Sequence, residues 1–517
     1  GANEGMKEFL TRIEAAVAAA KSKGHVTPEL ESLEGVAYRA AMMNEKALAC
    51  QERALAVLPD DLGAAYERII LGVPELGRHP EWIQGRIRPA MAALGDSPEG
   101  RTLFAVDALS AANHDAAREA LEQVVAKDPT RVEAWELLAR ACVPPVKATV
   151  TPREREEACR RAEEALGRAL KQDRGFVPFW TSRASLRLEL AGILGETGRD
   201  PILSFQGAED DLSQAIRLQP RGSMLVDRAE TRTLYAVHRA SLGENPQKGF
   251  EEAAADLDQA AKLDPKDPSI LVGRSFTLRS RADYRVARGE SPLKDLEDLE
   301  TLAVAANKEG PLPSETWLNI ALVWKDQALY RGGLGEDPSS DFTRAEEAFE
   351  KFADPNPLER NEKRARMRVL RARLRPRQES DAAMRDVEQA LQDLSIFSGV
   401  RIPYDDFGVT RAMARRTKAT LMVACGQDPS ELFQGARADL DQVVESNPVS
   451  SEASAESGHL ELAWGRFRTK LHDRSGALDH YGRAVRSFEE AIRSNDTLAT
   501  PLREWLREAR RGMLGAY

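Results

Sequence analysis

Several marks of common functional classes are scarce in this 517-residue chain. Only four cysteines occur, Cys50, Cys142, Cys159 and Cys425, far apart and without a CxxC pair, so neither a disulfide framework nor a thiolate metal site is indicated. No run approaches the roughly 18 uncharged apolar residues of a membrane-spanning helix. The first helix-like segment carries Glu8, Arg12 and Glu14, which excludes a visible signal peptide. An excess of positive charge is missing too: 73 basic residues face 83 acidic ones, a net charge of -10, which argues against a general nucleic-acid binder. The expected compartment is a reducing cytoplasm. Position 1 is Gly rather than Met, which points to a cleaved tag or a segment of a longer protein.

What is present is repetition. A small residue is followed by a large apolar one after four positions, another after three, and a Pro or polar stop after five. The pattern reads Ala117, Leu121, Val124, Pro129, then Ala208, Leu212, Ala215, Pro220, then Ala253, Leu257, Ala260, Pro265. It returns at Ala345 to Pro357 and Ala436 to Pro448, with weaker copies starting at Ala47, Ala162, Asp295, Ala383 and Ala484, about ten in all. Steps of four and three share one helical face, and Pro stops a helix because it lacks an amide donor. A second helix precedes each, marked by Trp135, Leu138, Ala139 and Cys142, by Trp317, Ile320, Ala321 and Trp324, or by Trp180 and Ala184.

This pairing resembles the tetratricopeptide repeat over roughly residues 36 to 500. The resemblance implies an all-α, right-handed α-α superhelical solenoid of about ten helix pairs. Units recur every 45 residues or so rather than the family's 34, the excess lying between the helices. Those inserts also repeat: Gly243-Glu-Asn-Pro246, Gly289-Glu-Ser-Pro292, Gly335-Glu-Asp-Pro338 and Gly426-Gln-Asp-Pro429, with Gly195 to Pro201 a longer relative. Each is expected to end one helix on a left-handed Gly and restart the chain at Pro. Long repeats of this type look like tetratricopeptide regions attached to bacterial Ser/Thr kinases, although no kinase motif is present. The expected organisation is an N-terminal helix at 1-35, a continuous solenoid at 36-497 with an irregular stretch at 60-116, and a capping helix at 498-517.

Arg and Asp co-occur along the units. Arg183, Arg228, Arg274, Arg371 and Arg411 stand before the small residue of the first helix, and the same units carry Asp211, Asp256, Asp298, Asp386 and Asp439 in the second. Units with Phe104, Leu138, Ile320 or Leu462 at the first position have Ala or Ser at the other. The expectation is an Arg-carboxylate pair joining the two helices of a unit, because a buried charge left alone is costly.

Catalytic constellations are missing. No HExxH, Gly-x-Ser-x-Gly or Walker-type loop occurs, so no enzyme activity, metal or cofactor is expected. His472 and His480 have helical spacing but read as surface residues. Gly332, Gly333 and Gly335 read as a helix boundary, and Asp405 with Asp406 as an isolated acidic pair. The function expected from a solenoid is a protein-protein interaction scaffold whose concave wall is lined by the first helices. The alternative is a regulatory or substrate-recruiting segment of a larger signalling enzyme such as a bacterial Ser/Thr kinase. Groove positions read from the family geometry are Val272, Phe276, Leu318, Leu322, Val369, Arg373, Val409 and Met413, edged by Arg279, Lys325, Arg366 and Arg416. They fit a protein or peptide with apolar anchors and acidic flanks; the competing reading is that long helices pack these side chains on one another or beneath residues 396 to 410.

Overall fold

The computed structural model describes residues 2–23, 27–40, 43–59, 61–72, 80–143, 151–308, 310–353, 357–397, 405–495 and 498–516. Among these residues the regular structure is entirely helical, with 24 α-helices. A leading helix α1 (Ala2–Ser22) is followed by pairs: α2 (Pro28–Ala40) with α3 (Asn44–Val57), α4 (Leu62–Gly72) with α5 (Pro80–Leu94), and α6 (Pro98–Ser110) with α7 (His114–Lys127). Next come α8 (Val132–Cys142) with α9 (Pro152–Gln172), α10 (Val177–Glu196) with α11 (Ile202–Leu218), α12 (Gly222–Ser241) with α13 (Gln247–Leu263), and α14 (Pro268–Ala287) with α15 (Leu293–Asn307). The array continues through α16 (Ser314–Gly333) with α17 (Ser339–Lys351), α18 (Pro357–Leu374) with α19 (Ser380–Asp393), α20 (Asp405–Ala424) with α21 (Ser430–Ser446), and α22 (Ser451–Lys470) with α23 (Arg474–Ser494). A single helix α24 (Ala499–Ala516) closes it. The irregular stretch holds the degenerate pair α4/α5, with Pro89 inside α5, which brings the pairs to eleven.

The small position of the second helix is where helices touch most closely. Ala47, Ala117, Ala162, Ala208, Ala253, Ala345, Ala436 and Ala484 are all 0% exposed, so none has room for a larger side chain. The large residue four positions on fills the adjoining core, as Leu121, Leu166, Leu257, Phe349 and Phe488 do. The Gly-Glu-x-Pro inserts turn the chain as their composition requires. Gly243, Gly289, Gly335 and Gly426 have φ of +79°, +72°, +79° and +73°, a conformation that costs an L side chain about 1–2 kcal/mol. The residue before each Pro then caps the next helix: Asn245, Asp337 and Asp428 accept from the amides of Gln247, Ser339 and Ser430 at 3.0, 2.9 and 3.0 Å. In the longer relative the left-handed residue is Gly198, φ +67°, and Asp200 caps α11.

The chain forms two compact units. The first comprises residues 1–146, 153–190 and 206–220 and has one continuous core running from Tyr66 to Phe179. The second comprises residues 147–152, 191–205 and 221–517. Within the second, the α10–α11 turn is tied to sequence-distant partners: Asn447 Nδ2 donates to the Glu196 carbonyl at 3.3 Å, and Phe205 stacks on Tyr235 with ring centroids 5.5 Å apart. Helix α24 lays Leu502 and Ala509, 5% and 0% exposed, on a core containing Leu462, Tyr481 and Phe488, while Arg503, Arg507, Arg510 and Arg511 face water.

Candidate interaction surface and its ion-pair framework

Four of the five expected Arg–Asp pairs are in contact, and each is a fork of two arginines on one carboxylate. Asp256, 3% exposed, takes Arg228 Nε and Nη2 at 2.9 and 2.6 Å and Arg232 Nη1 at 2.8 Å. Asp211 takes Arg183 at 2.8 and 2.6 Å and Arg187 at 2.9 Å. Asp439 takes Arg411 at 2.9 and 2.6 Å and Arg415 at 2.6 Å, and Asp386 takes Arg371 at 2.6 Å and Arg375 at 2.7 Å. The two arginines lie four residues apart, one helical turn, so both point at the same spot on the facing helix. Burial raises the Asp439 pKa despite the pull of Arg411 and Arg415.

The fifth pair, Arg274 with Asp298, is not formed. Arg274 reaches Asp258 at 2.7 Å instead, and Asp298 lies 3.3 Å from Arg281. Register is the reason. Counting from the left-handed glycine, Asp211, Asp256 and Asp439 occupy the thirteenth position, which in α15 is Leu302. In this unit the clamp has moved two turns toward the loop on both helices: the fully buried Asp295 bonds Arg281 and has Arg285 Nε at 2.9 Å. Helices α18 and α19 carry both levels, since Arg364 and Arg368 grip Asp393 at 2.6 and 2.7 Å, seven residues beyond the Arg371–Asp386 level on each helix.

A sequence signal for all of this exists. The pentapeptide Arg-Ala-x-x-Arg occurs at 183, 228, 281, 364, 371 and 411, and every copy makes a fork. Reading a single arginine per unit missed Arg187, Arg232, Arg375 and Arg415, and setting the level from apolar spacing missed Arg281, Arg285, Arg364 and Arg368.

The inner wall of the second unit is formed by α12, α14, α16, α18, α20 and α22, successive members of which pack directly. Polar groups bridge them, with Thr233 Oγ1 3.0 Å from Thr277 Oγ1, Asn319 donating to Ser275 at 2.8 Å, and Arg416 forking onto Glu456 at 2.5 and 3.1 Å. This direct packing covers much of the expected groove. Leu318, Leu322, Val369, Val409 and Met413 are 9%, 7%, 0%, 3% and 7% exposed, too little for a partner to reach. Three expected edge cations are engaged: Lys325 with Asp326 at 2.7 Å, Arg366 with Glu452, and Arg416 with Glu456. Val272 and Phe276 stay half-buried, with the Arg279 guanidinium 4.9 Å from the Phe276 ring centre. Arg373 is exposed; its nearest described polar contact is Met413 Sδ at 3.8 Å, and desolvation together with Arg416 lowers its pKa. On α12, Asp227 and Glu230 are exposed yet surrounded by protein, and desolvation pushes Asp227 up to about 6 and raises Glu230.

The histidine pair does not assemble. His472 lies in the α22–α23 turn with φ +59°, while His480 is buried, stacked on Trp464 at 4.4 Å and hydrogen-bonded to Glu461 at 2.8 Å. His459, unremarked in the sequence, sits edge-on between Phe488 and Trp505, each 5.1 Å away, and burial pulls its pKa down to about 4. Gly335 is the helix boundary expected. Asp406 lies 3.4 Å from Lys363, and residues 398–404 of the expected cover fall outside the described residues.

No protein-family model matches this chain, and no curated protein does. Solved structures similar to it include yeast Tom70, with 12% identity, 98% of this chain and 94% of that one covered, and a TM-score of 0.37. A tetratricopeptide repeat protein from Parabacteroides merdae matches at 15% identity over 62% and 99% of the two chains, TM-score 0.37, and the human IFIT1 dimer with m7Gppp-AAAA at 12% over 92% and 94%, TM-score 0.38. The helix pairs, the close-packed alanines and the stacked inner helices give this chain a tetratricopeptide-type solenoid fold.

Proposed function

We propose that the chain is a non-enzymatic protein-binding scaffold that takes a peptide or partner protein on the inner wall of its second unit. The observation that carries this reading is the half-buried Phe276 with Val272 beside it and the Arg279 guanidinium against its ring. An amphipathic anchor of this kind recurs at interaction surfaces, where an aromatic supplies buried area and an adjacent cation supplies direction. Arg373, whose described polar contact is Met413 Sδ, offers a second cationic point on the same wall. The partner that fits has an apolar anchor for Phe276 and Val272 and acidic groups for Arg279 and Arg373. Because the chain is acidic overall, attraction of such a partner is local, and binding should weaken with salt without vanishing.

The test is co-purification of partners from native lysate by the full chain and by a Phe276→Asp, Arg373→Glu double variant of unchanged helicity. Loss of a specific partner from the variant is expected. Equal recovery by both proteins would move the site off this wall.

A further inference from the structure

The first unit contains a cavity of about 630 Å³, within the size range of small-molecule sites. Its walls come from α2, α4, α8, α9 and α10, and Leu137, Leu166, Phe176 and Leu186 are among its apolar lining residues. Most of its charged lining residues are already engaged. Arg39 forks onto Glu67 at 2.6 and 3.1 Å, Glu133 accepts from the Tyr66 hydroxyl at 3.0 Å, and Glu189 lies 3.8 Å from Arg155.

Glu136 differs. It stands on the cavity wall where water reaches it, and no described hydrogen bond or ion pair within 4 Å engages its carboxylate. The density of protein around it raises its pKa by desolvation, ahead of the opposing pull of Arg140 one turn along and of Arg39. A carboxylate so placed has no protein donor among its described contacts, and apolar side chains line the same cavity. We infer that this cavity binds a cationic amine or guanidinium carried on an apolar stem, with Glu136 taking the charged head and the leucines and Phe176 taking the stem. An anionic ligand is disfavoured, because its charge would meet Glu136, and Arg39 is already engaged by Glu67. The inference concerns the first unit and stands independently of the inner wall of the second. Two sources share this chemistry: a free amine, and a lysine or arginine side chain of a protein.

The experiment is calorimetric titration of the full chain at pH 7.5 with three isosteres differing only in head group: 4-phenylbutylamine, 4-phenylbutanol and 4-phenylbutyrate. A blocked tripeptide with lysine between two leucines forms a fourth arm. The amine head should bind at least about tenfold more tightly than the alcohol or the acid, as a charge-assisted hydrogen bond requires. Glu136→Gln should remove that preference, and Ser185→Trp, which fills the cavity from α10, should abolish binding. Affinity should also fall as pH drops through the raised Glu136 pKa, since the protonated acid offers no counter-charge. Tighter binding of the tripeptide than of the free amine assigns the site to a protein partner; the reverse assigns it to a small molecule. Equal binding of the three head groups, no binding of the amine or the tripeptide, or an unaltered Glu136→Gln titration would overturn the inference.

Discussion

Each Arg-Ala-x-x-Arg fork places two guanidinium groups on a carboxylate that is nearly inaccessible, so loss of the acid and loss of one base are unequal events. Removing Asp256 takes from Arg228 and Arg232, 15% and 18% exposed, the buried carboxylate that they share. Asp256→Ala should therefore cost about 3–5 kcal/mol. Arg228→Ala leaves Arg232 in place and should cost distinctly less, and replacing all three residues by apolar ones should recover most of the loss, as urea denaturation of the set would show. Equal losses for the single arginine and the aspartate would mean that the fork is not one unit. Co-occurrence of Arg and Asp was legible in the sequence because neither charge is tolerable alone. The second arginine was missed because it sits on the same helix as the first and has no partner position of its own. The Arg274–Asp298 assignment failed because apolar spacing alone set the register of α15; the distance from Gly289 would have placed Leu302, not Asp298, opposite Arg274.

At the scale of the element, helix ends were the most legible features. Gly, the capping residue before Pro, and Pro itself act through local backbone geometry, which is why the Gly-Glu-x-Pro turns were foreseen. The final helix was legible for a similar reason, its apolar stripe and arginine-rich back being visible in α24 alone. Deleting residues 498–517 uncovers Leu462, Tyr481 and Phe488 and should cause aggregation or a broader, lower melting transition. An unchanged melting curve would show that α24 is not a cap. The role of His459 was not legible, because its ring neighbours, Phe488 and Trp505, come from two other helices. Its pH behaviour follows from a depressed pKa. The folded chain keeps the ring neutral to about pH 4, whereas the unfolded chain protonates it near 6.5. Stability tied to this group is thus complete above pH 6.5 and lost as pH falls toward 4, by up to about 3 kcal/mol. His459→Phe keeps the ring contacts and should flatten that part of the pH dependence, as urea midpoints at pH 7 and pH 5 would show. An identical slope in the variant would contradict the assignment.

For the whole molecule, the repeat specified an array of helix pairs because stacking is the way such pairs bury their apolar faces. It did not specify how far each inner helix leans on the next. That depends on contacts one repeat apart, such as Asn319 with Ser275 and Arg416 with Glu456, which no single unit reveals. Leu318, Leu322, Val369, Val409 and Met413 are consequently covered, and the partner surface contracts to Val272, Phe276, Arg279 and Arg373. The two-unit division was equally hidden, since α10 and α11 repeat like any other pair. Leu242, Leu293 and Leu334, 50%, 46% and 60% exposed at the Gly-Glu-x-Pro turns, form the competing apolar surface. The two surfaces are separated most directly by placing a photo-crosslinking amino acid at Phe276 in one protein and at Leu334 in another, then irradiating each in native lysate. The account predicts a discrete crosslinked partner from the Phe276 position and none from Leu334; a partner trapped at Leu334 alone would contradict it.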